Sequence, residues 1–304
     1  MKVESLRPVN IICHRGSIYE YPENLILSHE AAFRLGFDTE TDLQKVKDEH
    51  VLYHDDFVPG PNDNESMARG FLTNGGGFYF PSGRKPVTEC TIDELLLKAQ
   101  FNRAKLEAFL SHQAGEQIRL KPGEKEVLQI ATFDDLIQLV KRYPDRKVYL
   151  ELKRADDLTA YDDGMEEEVA GIISDNGLLD RFVIVCSNHH VLKNMRKANS
   201  AVTIAADPDR PLGTDSLKHL ASAIKLRDEI GLKFWEPSFN ETTQELLNAI
   251  LTSGLELVPW VTNENKSEEI EQLKRLKNVG VKYLYTNQAE KAREIFAAVC
   301  GVRK

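Results

Sequence analysis

Cysteine is scarce in this sequence: four among 304 residues, none close to another. Cys13, Cys90, Cys186 and Cys300 form no Cys-x-x-Cys pair, which removes zinc ribbons and small disulfide frameworks from consideration. Three of them sit in apolar contexts and read as buried, reduced thiols. Long apolar runs are also missing, since none approaches the ~20 residues of a membrane-spanning helix. The opening Met1-Lys2-Val3-Glu4-Ser5 has no apolar leader core, so the expectation is a cytoplasmic protein without a membrane span. A removed signal would leave no trace, which keeps a processed secreted form open. Positive charge is in deficit too. With 39 Lys and Arg against 48 Asp and Glu, the net charge of −9 argues against nucleic acid or an anionic membrane as partner. An anionic ligand must then be held by local cations or a metal. Internal repeats and low-complexity tracts are absent.

What is present is alternation. Short apolar runs suited to strands occur at 9–13, 39–43, 147–152, 182–186, 202–205, 233–236, 255–261 and 282–285. Helical stretches at 25–35, 133–142, 165–176, 190–197, 215–229, 241–253 and 266–276 lie between them. Thr91 and Thr132, each followed by acidic residues, predict helix N-caps. Gly177, Gly231, Gly254 and Gly280 each separate a helix from a strand, as left-handed C-caps do. Eight strands alternating with helices predict an α/β fold, a (β/α)8 TIM barrel with its working groups at the strand C-terminal ends. Residues 51–53 read as a short extra strand that returns His54 towards Glu40 and Asp42. From about 56 to 131 the alternation fails: Pro59-Gly60-Pro61-Asn62-Asp63 and Gly75-Gly76-Gly77 are loop chemistry, followed by a helix-like 92–110. The chain reads as a single barrel domain over 1–304, with an insertion at about 56–131 after the second strand.

Charged groups gather at the ends of the first three predicted strands. His14-Arg15 follow the first, Glu40 and Asp42 lie in the second, His54-Asp55 close the short return, and Glu151 and Lys153 end the third. Side chains alternate faces along a strand, so Glu40 and Asp42 point the same way, as do Glu151 and Lys153. Three carboxylates facing one another make an all-oxygen cage that suits one divalent cation, Mg²⁺ or Ca²⁺, rather than zinc. Arg15 offers a forked, permanent cation for phosphate, and Lys153 could reach a phosphate oxygen on the same metal. The carboxylates could instead form a charge network with Arg15 and Lys153, though buried acids demand a cation of some kind. With two histidines added, this is the inventory for cleaving a phosphodiester at a bound metal.

Taken together, His14-Arg15-Gly16, Pro22-Glu23-Asn24, Gly36-Phe37-Asp38-Thr39-Glu40-Thr41-Asp42, Lys47-Asp48 and His54-Asp55 resemble the glycerophosphodiester phosphodiesterase family. The likeness continues through Glu151-Leu152-Lys153, Trp260-Val261-Thr262-Asn263 and Gly280-Val281, and so spans nearly the whole chain apart from the segment after His54. It implies metal-dependent hydrolysis of a small-molecule glycerophosphodiester to glycerol 3-phosphate and an alcohol such as choline or ethanolamine. The resemblance assigns His14 and His54 to acid/base catalysis, in either order. It implies attack by the glycerol 2-hydroxyl through a cyclic phosphate, while direct attack by water fits the residues equally. Three positions depart from the family pattern. Leu25 replaces the usual Thr, Thr286-Asn287-Gln288-Ala289 stands for Thr-Asp-Tyr-Pro, and Phe57-Val58-Pro59-Gly60 replaces a Leu-x-Arg-Thr-like run. They bear on substrate fit at the pocket rim.

Further residues carry two readings each. Glu236 ends a strand and either hydrogen-bonds a substrate hydroxyl or pairs with a barrel lysine. Trp260 either packs in the core or walls the glycerol moiety. Adjacent side chains diverge, so His189-His190 reads as one solvated histidine beside one capping or packing histidine. Glu166-Glu167-Glu168 reads as the solvated start of a helix. Phe71, Phe78, Tyr79 and Phe80 either cover an acyl chain or anchor the insertion. An acyl-binding role would favour a lysophospholipase D or sphingomyelinase D-like enzyme. A catalytically silent phosphate-ligand binding protein is the remaining alternative, and the presence of both histidines with the full cage counts against it. Headgroup, metal and oligomeric state are not legible in these residues.

Overall fold

The computed structural model describes residues 9–18, 21–60, 78–98, 100–101, 129–153, 163–208, 215–262 and 265–297. Phe71, Gly75-Gly76-Gly77, Asn263, Cys300, the side chain of Phe78 and the distal part of the helix-like 92–110 lie outside them. The main strands are β1 (Asn10–Cys13), β2 (Asp38–Lys45), β3 (His50–Leu52), β4 (Val148–Leu152), β5 (Phe182–Cys186), β6 (Thr203–Ala206), β7 (Phe234–Trp235), β8 (Glu256–Leu257), β9 (Trp260–Val261) and β10 (Tyr283–Thr286). The helices are α1 (Ile26–Arg34), α2 (Ile92–Lys98), α3 (Phe133–Arg142), α4 (Met165–Asp175), α5 (His189–Ala198), α6 (Ser216–Ile230), α7 (Gln244–Ser253), α8 (Lys266–Val279) and α9 (Ala289–Ala297). No helix among the described residues is long and apolar enough to cross a membrane.

The chain divides into two compact units: Met1–His14 with Lys147–Tyr149 and Arg154–Lys304, and Arg15–Arg146 with Leu150–Lys153. In the first unit β5, β6, β7 and β8 pair in parallel, and β10 lies parallel to both β1 and β9. Every residue of β5 is buried, because a parallel sheet is covered on both faces. Val183 and Val185 face a core with Ile12, Tyr149, Phe234 and Tyr285. The predicted strand at 255–261 is split into β8 and β9 by Pro259, which has no N–H for a ladder. Gly254 and Gly280 close α7 and α8 at φ values of 82° and 85°, as expected. α9 was not anticipated; it buries Ala289 and Ala292. Glu166 is buried while Glu167 and Glu168 are exposed, so the acidic helix start is solvated at only two of three positions.

In the second unit β3 runs antiparallel to β2 and pairs Leu43 with Leu52 and Lys45 with His50, as the return towards Asp42 required. Thr132 and Asp135 exchange hydrogen bonds to start α3, and Thr91 and Glu94 do the same at α2. Val58, Phe80, Val87, Cys90 and Leu95 pack on Val51 and Tyr53. Phe80 therefore anchors the described part of the insertion instead of lining an open acyl groove. Cys13, Cys90 and Cys186 are buried, as expected.

The odd-numbered face of β2 turns to α1. There His29 Nδ1 donates to Thr39 Oγ1 at 2.8 Å, and that hydroxyl donates to the Glu40 carbonyl. His29 Nε2 is buried with no hydrogen-bond partner among the described residues, so a proton there would go unpaired. Burial pulls the His29 pKa down from 6.5 to about 3, against the opposing charge of Asp42. The unfolded chain takes up this proton as pH falls below 6.5 and the native chain does not, so this stability is complete above 6.5 and lost on acidification. Between pH 6 and 4.5, denaturant titrations of wild type should show a stability slope about 1.4 kcal/mol per pH unit steeper than those of His29→Asn. Equal slopes would contradict the neutral, buried imidazole.

Candidate active site

The second unit brings six of the nine predicted site residues together, starting from a strained loop. Arg15 and Gly16 adopt left-handed φ values of 56° and 89°. A Cβ on Gly16 would stand 2.4 Å from Ser28 Oγ and 2.7 Å from the Ser28 carbonyl carbon, so only glycine fits. The Arg15 carbonyl accepts from Asn24 N at 3.0 Å, and Ser17 N donates to the Ser28 carbonyl at 2.8 Å, fixing the loop on the start of α1. The main-chain N–H of Arg15 then donates to Glu40 Oε2 at 2.9 Å, and its Nε reaches Asp42 Oδ2 at 3.0 Å. Glu23 holds the other side of the guanidinium at 3.3 Å.

Period-two spacing places Glu40, Asp42 and Gln44 on one face of β2. Oxygens of Glu40, Asp42 and Glu151 all lie within 4.8 Å of one another. Lys153 Nζ contacts Asp42 Oδ1 at 3.0 Å and Glu151 Oε1 at 2.8 Å. Burial would raise the pKa of Asp42, but Lys153, Arg15 and His54 outweigh it and hold the carboxyl well below its usual range. Glu40 goes the other way: burial, then repulsion from Asp42 and Glu151, push it well above 4.5. The cations respond in kind. Burial opposes the charge on Arg15 and Lys153, yet Asp42 and its acidic neighbours raise both above their ordinary values.

These donors fit a hard divalent cation. They are all oxygen, burial together with their mutual repulsion pushes the Glu40 carboxyl well above its usual range, and two oxygens on one Ca²⁺ can stand at most about 5 Å apart, twice a bond of 2.3–2.6 Å. Glu40 and Asp42 are buried, whereas Glu151, Lys153 and His54 keep partial exposure, so the cluster has an open edge.

His54 is delivered by the β3 return. Tyr53 N donates to the Asp42 carbonyl at 3.1 Å, and the Gln44 amide nitrogen lies 2.7–3.1 Å from the carbonyls of Tyr53, His54 and Asp55. Nδ1 of His54 is 3.2 Å from Asp42 Oδ1, a contact that needs a proton on Nδ1. Arg15 Nη2, at 2.9 and 3.2 Å from the two ring nitrogens, would need a lone pair instead. One atom nearly equidistant from both nitrogens cannot lie in line with either, so the Nδ1 proton is assigned to the contact with Asp42.

Asn24 was quoted only as part of a motif, yet it builds the site. It is fully buried at φ 55°, its Nδ2 donates to Asp42 Oδ2 at 2.8 Å, and its Oδ1 accepts from Thr41 Oγ1 at 2.8 Å. Gln44 was missed as well, although its even-numbered phase with Glu40 and Asp42 was a usable signal. Leu25, in place of the usual Thr, leaves the N-cap of α1 without a side-chain bond and joins the core instead.

His14, Glu236 and Trp260 belong to the first unit. His14 N donates to the Thr286 carbonyl at 3.2 Å, and its Nδ1 is 3.0 Å from Asn287 Oδ1. Glu236 is buried and accepts from the Tyr285 hydroxyl at 2.6 Å. Trp260 is 37% exposed, which rules out the core-packing reading. His190 is exposed, while His189 packs on Trp235 and donates from Nε2 to the Asp207 carbonyl at 3.1 Å; Asn188 is the cap. That matches the divergent pair expected.

Residues 14–291 match the glycerophosphoryl diester phosphodiesterase family. A glycerophosphodiester phosphodiesterase of Caldanaerobacter subterraneus subsp. tengcongensis is 26% identical over 285 residues, 92% of this chain and 94% of the relative. The solved structure of a Galdieria sulphuraria protein aligns with a TM-score of 0.71 at 16% identity, covering 97% of this chain and 100% of that one. An Oleispira antarctica phosphodiesterase, solved in complex with the product sn-glycerol-3-phosphate, aligns at 0.64 and 16% identity, covering 96% and 97%. Such structural likeness speaks for the fold, the expected (β/α)8 barrel.

Asn24→Gly keeps the left-handed backbone available while removing the carboxamide that orients Asp42. Calorimetric titration with Ca²⁺ or Mg²⁺ should show about 10–100-fold weaker binding than wild type, with an unchanged circular dichroism spectrum. Unaltered affinity would mean that Asn24 does not support the carboxylate.

Proposed function

From the premise that the chain belongs to the glycerophosphoryl diester phosphodiesterase family, we propose that it hydrolyses glycerophosphodiesters to glycerol 3-phosphate and an alcohol. The observation that carries this reading is the convergence of Glu40, Asp42 and Glu151 beside Arg15, Lys153 and His54. One divalent cation, Mg²⁺ or Ca²⁺, would sit on those three carboxylates and supply Lewis-acid polarisation of the phosphoryl group.

The chain's own residues supply the rest. Arg15 and Lys153, both held firmly charged, neutralise negative charge that grows on the phosphorus oxygens. Asp42, kept ionised, holds the Nδ1 proton of His54 and leaves its Nε2 to exchange a proton. His14, the residue before Arg15, is the second acid/base group. One histidine takes the proton of the attacking hydroxyl, from the glycerol 2-position or from water, and the other protonates the departing alcohol. Glu236 and the exposed Trp260 are assigned to the glycerol moiety, the first through a hydroxyl and the second as a wall. The acyl-bearing alternative finds no support in Phe80, which is buried in the core.

Glycerol 3-phosphate release from glycerophosphocholine should require Mg²⁺ or Ca²⁺ and stop with EDTA. His14→Ala or His54→Ala should each cost at least about 100-fold in kcat while calorimetric metal binding stays within a few-fold. Undiminished release in EDTA would contradict the metal assignment, and near-normal turnover by either variant would contradict its acid/base role.

A further inference from the structure

The departure Thr286-Asn287-Gln288 in the C-terminal motif forms a polar network within the first unit. Glu269, in the first turn of α8, has a fully buried carboxylate. Its Oε1 accepts from Thr286 Oγ1 at 2.5 Å, Asn287 N at 2.7 Å and Gln288 N at 3.3 Å. The Thr286 hydroxyl also accepts from Gln288 N at 2.9 Å. A carboxylate without water needs several donors, and the turn after β10 provides three of them, so the turn has one geometry. β10 carries that geometry to β1 through the pairing of Cys13 with Thr286 and the bond from His14 N to the Thr286 carbonyl. At the end of this chain Asn287, itself buried, presents Oδ1 to His14 Nδ1 at 3.0 Å.

We infer that Asn287, braced by Glu269, is a positioning residue that holds a proton on His14 Nδ1 and leaves Nε2 as the nitrogen that exchanges a proton. A carboxamide oxygen can only accept, so the ring must donate from Nδ1, and in a neutral imidazole Nε2 then carries the lone pair. His54 is held through the same nitrogen by Asp42, so both histidines present Nε2 although their partners differ in charge. Asn287 acts through His14 and touches no reacting atom. The inference rests on the reading of His14 as an acid/base group.

The test compares wild type with Asn287→Ala and Asn287→Asp, using ¹⁵N-histidine NMR and kinetics. In wild type at neutral pH, long-range ¹H–¹⁵N correlations should show His14 protonated on Nδ1. Asn287→Ala should shift His14 towards the Nε2-protonated form and lower kcat about 10–100-fold with KM within about two-fold. Asn287→Asp keeps an oxygen acceptor and should restore the Nδ1-protonated signature. A wild-type His14 protonated on Nε2 but not on Nδ1, or an Asn287→Ala protein that keeps the wild-type protonation pattern while folded, would overturn the inference whatever its activity. Loss of the tautomer signature in Asn287→Asp would overturn it too. Wild type inactive on glycerophosphodiesters but with the expected NMR pattern would instead locate the failure in the functional reading.

Discussion

The buried carboxylate of Asp42 is the group on which the site depends. Arg15 and Asn24 meet one of its oxygens, and Lys153 and His54 meet the other. Removing one partner from such a buried ion pair costs about 3–5 kcal/mol, because the remaining charge stays out of water. Each neighbour is in turn held by something else. The left-handed turn at Arg15-Gly16 aims the guanidinium, the hydroxyl of Thr41 orients Asn24, and the Gln44 amide closes the turn that carries His54. The site is therefore a set of groups that each require the others.

The same electrostatics bear on the proposed cation site. Asp42 stays ionised because Arg15 and Lys153 lie on it, whereas Glu40 is pushed towards its neutral form by burial and by Asp42 and Glu151. A divalent ion on the three oxygens would reverse that balance and draw all three carboxyls into the charged state. Lys153 bridges Asp42 and Glu151, so its charge is spent on two of the three carboxylates in this structure.

How much of this the chain disclosed varies with the kind of interaction. Glu40 with Asp42, and Glu151 with Lys153, were legible because strand geometry repeats every two residues and needs no knowledge of distant contacts. The helix starts at Thr91 and Thr132 were legible for the same local reason. Asn24 was not, since its value lies in a hydrogen bond to a carboxylate eighteen positions later. Asn287 is more distant still, 273 positions from His14. Pro259 could have warned of the break between β8 and β9, but an apolar run on either side concealed it. Glu166 misled because an acidic run implies solvent, and only packing decides which member of the run turns inward.

The convergence of Glu40, Asp42 and Glu151 is explained here as a cation site, and the most direct test is to look for the ion. Crystals grown or soaked with Mn²⁺, measured for anomalous scattering, should show a strong peak ligated by oxygens of all three carboxylates. Lys153 should be displaced from at least one of them. Well-ordered crystals at saturating Mn²⁺ with no peak there, and with Lys153 still bridging Asp42 and Glu151, would contradict the account and leave the cluster a structural ion-pair network.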